Sequence, residues 1–336
     1  MRHSARLAVA LAVLASTAAG CSSSGQSSGA SGRKPDRTTV TSCGRTLSFD
    51  GPPERAVTLD QSATETLLEL GLGERMAGTA YLKTKVAEEY RDAYRRVPVL
   101  SPDLLTGEQL RAATPDLAVA SSAELYAKDR AGTRAELAEL DLPSYVSAVD
   151  CPERNDPDKT AFDLLFDDYE NYGRIFGVEK RAAKLAAEQR AVVKQATRTA
   201  DRVEGEPTVV WLYSVYDDKP YVAGRGGLPS EMSRLVGAKN AFDDVDEEWP
   251  EVSWAQIADR DPDFIVVGDL SERGKPGDSA EDKLAMMREH PTVSELSAVR
   301  KNRIIETPGI EMDPSVRTTH TLGLLIKGMK DLGHVR

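Results

Sequence analysis

The side chains best equipped for chemistry in this chain are suited to holding a ligand rather than transforming one. Trp211, Tyr213, Tyr216 and Tyr221 crowd into one short stretch, followed by Gly224-Arg225-Gly226-Gly227. Aromatic rings present large, rigid surface at low entropic cost, which suits a bulky ligand. Tyr81 and Tyr126 in the first half and Arg317 near the end complete the candidate binding set. Arg225 and Arg317 carry the planar fork that clamps carboxylate or catecholate oxygens. Packing within the protein is the alternative role for any one of the tyrosines.

Catalytic constellations are poor. His3 falls in the N-terminal leader, and His290, His320 and His334 do not cluster with a cysteine or with a spaced pair of carboxylates. A metal site built from histidine is therefore not expected. Gly224–Gly227 is no phosphate loop, because no Gly-Lys-Ser/Thr follows. The carboxylate-rich stretch Asp243–Glu251 lacks the spacing and central glycine of a calcium loop and reads as a solvated loop. Nothing assembles a nucleophile with its base, so an exported enzyme is a remote reading, and no cofactor is expected.

These residues need elements to aim them. Apolar runs at Ala56–Leu59, Met76–Thr79, Leu117–Ala120 and within Leu142–Val149 read as strands, and helical signals fall between them. Ser62-x-x-Glu65 and Thr106-x-x-Gln109 have the form of capping boxes, and Gly71 or Gly73 ends the first helix. Alternating strands and helices predict a parallel sheet. The pattern then repeats. Thr106, Gln109, Pro115-Asp116 and Leu117–Val119 match Ser253, Gln256, Pro262-Asp263 and Phe264–Val266 at a constant offset of 147 residues. Thr64-Glu65 with Leu70-Gly71 parallels Ser230-Glu231 with Val236-Gly237 at an offset of 166. Two similar Rossmann-like α/β lobes with a cleft between them are the most economical architecture, with ligands outside the carboxyl ends of the strands.

Between the repeats, apolar residues recur at helical spacing from Val178 to Ala196, predicting a helix over 178–203 of about 40 Å. It reads either as a surface helix or as a rigid strut joining the lobes. The domain plan is then residues 1–20 a leader, 21–37 a tether, 38–160 the first lobe, 161–205 the helical segment and 206–336 the second lobe.

The leader has a basic start, an apolar run from Leu7 to Ala19, and Ala18-Ala19-Gly20-Cys21 at its end. That describes a secretory signal peptide, too short to span a membrane as a helix. The final residues resemble a bacterial lipobox, with Ala18 where leucine is usual. Lipidation of Cys21 would anchor the chain to the outer side of the cell membrane; ordinary cleavage leaving a free thiol is the alternative. Residues 22–37, rich in Ser and Gly, read as a flexible tether. Of 43 basic residues, Arg2 and Arg6 leave with the leader, so 41 face 54 acidic ones. Such a surface repels phosphate backbones and excludes nucleic acid as an expected partner. In an exported chain the two remaining cysteines, Cys43 and Cys151, suggest a disulfide, with separate thiols the alternative.

Taken in order, Ala56–Asp60 leading into Ala63-Thr64-Glu65 and Leu68, then Met76–Thr79, Glu108–Leu110 before Thr114–Leu117, Val252-Ser253 before Asp261–Asp263, and His290-Pro291 with Asn302-Arg303 and Pro308-Gly309, resemble the substrate-binding lipoproteins of ABC importers for siderophores, cobalamin and haem, the class III periplasmic-binding-protein type. The resemblance covers about residues 40–334. It implies two α/β lobes joined by one long helix, small opening motions, a monomer, and partnership with a permease and its ATPase. A ferric siderophore is the expected ligand; cobalamin, haem or a deazaflavin-type precursor are alternatives, and a non-transport surface lipoprotein is a remote one. It also implies docking through one surface carboxylate per lobe. That position falls on Glu108 in the first lobe and on uncharged Ala255 in the second, where Glu251 or Asp259 could substitute.

Overall fold

The computed structural model describes residues 37–336. The leader, Cys21 and the tether before Arg37 lie outside the described residues. The fold opens on a hairpin, β1 (Thr38–Ser42) paired antiparallel with β2 (Arg45–Phe49). Cys43 and Gly44 make its turn with φ of 46° and 73°, the handedness that matches strand twist in a two-residue connection. Ser42 ties the hairpin to the edge of the first lobe: its hydroxyl accepts from Val146 N at 2.8 Å and donates to Val146 O at 2.9 Å. Cys43 is bonded to Cys151, with the Cα atoms 5.7 Å apart. The disulfide suggested by the sequence therefore fastens a hairpin turn to the lobe.

The first lobe holds β3 (Ala56–Thr58), β4 (Met76–Ala80), β5 (Val99–Ser101), β6 (Leu117–Ala120) and β7 (Ser144–Val146), all parallel in the order β5-β4-β3-β6-β7. The second holds β8 (Thr208–Tyr216), β9 (Lys219–Val222), β10 (Lys239–Asn240), β11 (Phe264–Asp269) and β12 (Ile304–Pro308). Its parallel order is β10-β8-β11-β12, with β9 folded back antiparallel on β8. Leu117–Ala120 and Phe264–Val267 are buried throughout. Helices cover both faces of such strands, which is why they read as unbroken apolar runs.

The sequence repeat is a structural repeat. Helices Gln61–Glu69 and Gly227–Leu235 lie 166 residues apart, and helices Gly107–Ala112 and Trp254–Arg260 begin 147 apart. The Thr106/Gln109 and Ser253/Gln256 capping boxes both form. Asp116 accepts from Glu54 N and Arg55 N at 2.7 and 3.0 Å; its repeat mate Asp263 accepts from Thr208 N at 2.8 Å. Each aspartate thus closes the entrance to the first parallel strand of its lobe. The first helix differs from its expected cap. Asp60, not Ser62, is the N-cap, its Oδ1 accepting from Ala63 N at 2.9 Å. Ser62 sits inside the first turn, and Glu65 turns away to Gln61 and Arg317.

The segment between the lobes is an antiparallel helical hairpin. Helix Ala161–Phe176 ends at Gly177, whose φ of 68° turns the chain directly into helix Glu179–Ala200. A Cβ on Gly173 would come within 2.7 Å of Ala182 Cβ, so glycine permits the close approach of the arms. The second arm, about 33 Å long at 1.5 Å per residue, touches both lobes. Arg181 donates to Leu70 O at 2.9 Å in the first, and Gln189 to Val316 O at 2.6 Å in the second. It is the expected strut, shorter than 178–203 at both ends and braced along its length by a partner helix.

Candidate ligand cleft

In each sheet the chain leaves the first parallel strand toward one side and later crosses to the other. The crevices so formed lie at the carboxyl ends of β3 and β6 and of β8 and β11. Asp60 fixes the first crevice, since its Oδ2 accepts from Ser121 N at 2.7 Å and so ties the loop after β3 to the loop after β6. Between the crevices lies a cavity of about 390 Å³ walled by both lobes. A second cavity, about 480 Å³, opens beside helix Gly227–Leu235 near Thr160, away from these strand ends and without an aromatic wall.

The floor of the cleft is a buried charged group spanning the lobes. Lys83 Nζ lies 2.9 Å from Asp313 Oδ2 and 3.3 Å from the Tyr213 hydroxyl, which itself donates to Asp313 at 3.0 Å. Burial pushes the Lys83 ammonium down, but Asp313, Tyr213 and Tyr81 more than offset this, and it stays protonated. The wall is aromatic: the Tyr213 and Trp249 rings are 4.5 Å apart. The Tyr81 ring meets Lys83 at 5.3 Å from one lobe and Arg273 at 5.9 Å from the other. Tyr81 adopts φ 55°, a left-handed conformation costly for an aromatic residue and typical of ligand clamps. Tyr216 is 58% exposed at the mouth, and Tyr221 donates to Glu251 at 2.9 Å.

Carboxylates crowd the same space. Glu124 pairs with Arg130 at 3.3 Å. Burial pushes the Asp150 carboxyl up to about 6. Burial, with the charges of Asp150, Asp313 and Glu124, pushes the Glu248 carboxyl up to about 8.

Of the candidates named from the sequence, Tyr81, Tyr213, Tyr216 and Tyr221 line the cavity. Tyr126, Arg225 and Arg317 do not. Tyr126 is buried in the first lobe, its hydroxyl donating to Tyr145 O at 3.0 Å, because a helical turn folds it inward. Arg225 is spent on Asp243 O at 2.9 Å and Asp246 at 2.7 Å. Arg317 lies in an ion-pair cluster with Glu65 and Glu311. Asp313, Trp249, Glu248 and Asp150 were missed. Lys83 and Glu124 already stand in loops at strand ends, but Trp249 and Glu248 sit within a stretch whose acidity reads as solvated surface. Glu108 is exposed on its helix, as is Ala255 at the matching place in the other lobe. Among the described residues no group of three His, Cys, Asp or Glu could hold a metal ion, and no helix is long and apolar enough to cross a membrane.

The model of the periplasmic binding protein family matches residues 57–311. This chain belongs to that family. It is 24% identical over 286 residues to the uncharacterised ABC transporter substrate-binding lipoprotein YvrC of Bacillus subtilis, covering 83% of this chain and 79% of that protein. It is 26% identical over 232 residues to a cobalamin-binding protein of Halobacterium salinarum, covering 68% of this chain but only 57% of the relative. The crystal structure of an ABC-type Fe3+-hydroxamate transport system from Saccharomonospora viridis superposes with a TM-score of 0.73 at 24% identity, over 88% of this chain and 99% of that one. The two-lobed α/β fold of this extracytoplasmic binding family is thereby the fold of this chain.

Proposed function

We propose that the chain is the substrate-binding protein of an ABC importer and captures a ferric siderophore, favouring a neutral or cationic hydroxamate complex over a triply charged catecholate. The charge pattern of the cleft carries this choice. Its arginines are already committed: Arg130 to Glu124, and Arg273 to Asp278 at 3.1 Å. Arg225 and Arg317, the groups that would clamp a catecholate, face elsewhere. What the cavity offers is aromatic surface and surplus carboxyl groups, which suit an uncharged or cationic chelate. The TM-score similarity bears on fold alone, so the ligand rests on the cleft itself. Cobalamin is the second reading, because the Halobacterium relative is described as binding it; haem and cofactor precursors would compete for the same space.

Delivery would place Glu108, on the first turn of its helix, against the permease. In the second lobe Glu251 is held by Lys219 at 2.7 Å and by Tyr221, whereas Asp259 is exposed at the far end of helix Trp254–Arg260. Charge reversal of Glu108 should abolish uptake; reversal of Glu251 that leaves uptake unchanged would remove it from the docking surface. A lipid on Cys21 would hold the protein at the extracytoplasmic face.

The test of ligand class is tryptophan-fluorescence quenching of residues 38–336 by ferrioxamine, a ferric catecholate, haem and cyanocobalamin. Trp211 and Trp254 are buried, so Trp249 is the reporter. Submicromolar quenching by ferrioxamine, lost in Trp249→Phe and weakened in Tyr213→Ala, is the expected result. Quenching by cyanocobalamin or haem alone would discard the siderophore.

A further inference from the structure

The cleft's acids are not equivalent. Glu124 and Asp313 each have a cation, Arg130 at 3.3 Å and Lys83 at 2.9 Å. Asp150 and Glu248 line the same cavity from opposite lobes and are in no ion pair among the described residues. Asp150 is held in place: one oxygen accepts from Ala123 N at 2.6 Å, and Cys151 beside it is covalently tied to Cys43. Glu248 is half-buried and stands beside Gly227, where a Cβ would meet its Oε1 at 3.0 Å. Lys275, the remaining cation of the cavity without an ion pair among the described residues, is exposed at the rim.

Two carboxyls that line one cavity from opposite lobes repel, and the cost falls on the empty cleft. Asp150 is the largest charge acting to hold the proton on Glu248. Both groups are pushed up from their ordinary values chiefly by burial, and at Glu248 the charge of Asp150 adds to it. Beside them stands the Trp249 ring, stacked near Tyr213 at 4.5 Å, and an aromatic face attracts a cation. Acid from each lobe plus an adjacent indole makes a receptor for an ammonium group, and one that is complete only when both lobes contribute.

We propose that the cleft selects a ligand bearing a protonated primary amine, which Asp150 and Glu248 take up between the lobes beside the Trp249 ring. This rests on the siderophore reading and narrows it to chelates with a pendant amine. Binding then draws a positive charge between two groups that otherwise repel, so ligand uptake and approach of the lobes are favoured together. The amine's position also orients the chelate, since its neutral remainder must lie along the tyrosines.

A matched pair of ligands tests this. Ferrioxamine B ends in a primary amine; its N-acetyl derivative keeps the iron centre and loses only that charge. Calorimetric titration of the wild-type protein should show ferrioxamine B binding at least about tenfold more tightly, the worth of one charge-assisted hydrogen bond. In Asp150→Asn/Glu248→Gln that preference should vanish, and an unchanged circular-dichroism spectrum shows that the variant is folded. Equal binding of the two ligands by the wild-type protein overturns the ammonium site and leaves the siderophore reading standing. Binding of neither, with uptake of cyanocobalamin or haem instead, overturns the siderophore reading and this inference with it.

Discussion

Glu65 in the first lobe and Glu311 in the second, both with fully buried carboxylates, are held by one guanidinium: Arg317 lies 3.4 Å from the former and 2.9 Å from the latter. Arg317 also donates to Lys85 O at 3.2 Å, and His320 Nδ1 sits 2.8 Å from Glu311. Two negative charges around one buried arginine form a hinge-side latch between the lobes. Arg317→Met strands both carboxylates in low dielectric and should cost about 3–5 kcal/mol in urea unfolding at pH 7. Burial already raises the Glu65 carboxyl above its ordinary value, so the loss should be smaller at pH 5 than at pH 7, because acid favours the neutral form of the stranded carboxyl. A loss that is the same at both values would sink the latch.

The Lys83–Asp313 pair makes a parallel prediction at the cleft floor. Lys83→Met should destabilise by about 3–5 kcal/mol by leaving Asp313 uncompensated, and adding Asp313→Leu should restore much of it. A double-mutant cycle reads this coupling directly; additive effects would mean that the two groups do not sense one another.

The Cys43–Cys151 bond joins residues 108 apart in sequence. Closing a loop of that order restricts the unfolded chain by up to about 4.7 kcal/mol in the chain-entropy model, and 2–5 is usual for losing a native bridge. Cys43→Ser/Cys151→Ser should therefore lower the unfolding midpoint. Because Asp150 adjoins the bridge, affinity for ferrioxamine should fall as well. Unchanged affinity would separate the bridge from the cleft wall.

The surplus carboxyls fix how the empty protein responds to pH. A carboxyl raised in the folded state keeps a proton that the unfolded chain releases near pH 4, so stability is full below about 4 and declines as pH rises through the folded value. For Asp150 that decline runs to about 6, and for Glu248 to about 8. The groups acting on Glu248 are Asp150, Asp313 and Glu124, opposed by Lys83. Glu248→Gln should flatten the stability profile between pH 6 and 8 and make the decline between about 4 and 6 shallower, leaving there the share that Asp150 contributes. A profile unaltered by the substitution would show that Glu248 does not titrate in that window.

The sequence by itself determined the lobes and their repeat. Parallel strands buried on both faces must be apolar throughout, as in Leu117–Ala120 and Phe264–Val267. Turn entrances need a side chain that accepts backbone N–H groups, as Asp116 and Asp263 do. Those are local requirements, and local residue choice records them. The tyrosines of the cleft were legible for the same reason: Tyr81, Tyr213, Tyr216 and Tyr221 follow or lie on strands whose ends face the crevice. What a charged group does depends on which distant charge it meets. Arg317 faces Glu65 across 252 residues and Lys83 faces Asp313 across 230. No spacing rule contains those separations, so only the tertiary structure could decide that Arg317 is a latch, that Tyr126 is core, and that Asp150 and Glu248 line one cavity from opposite lobes.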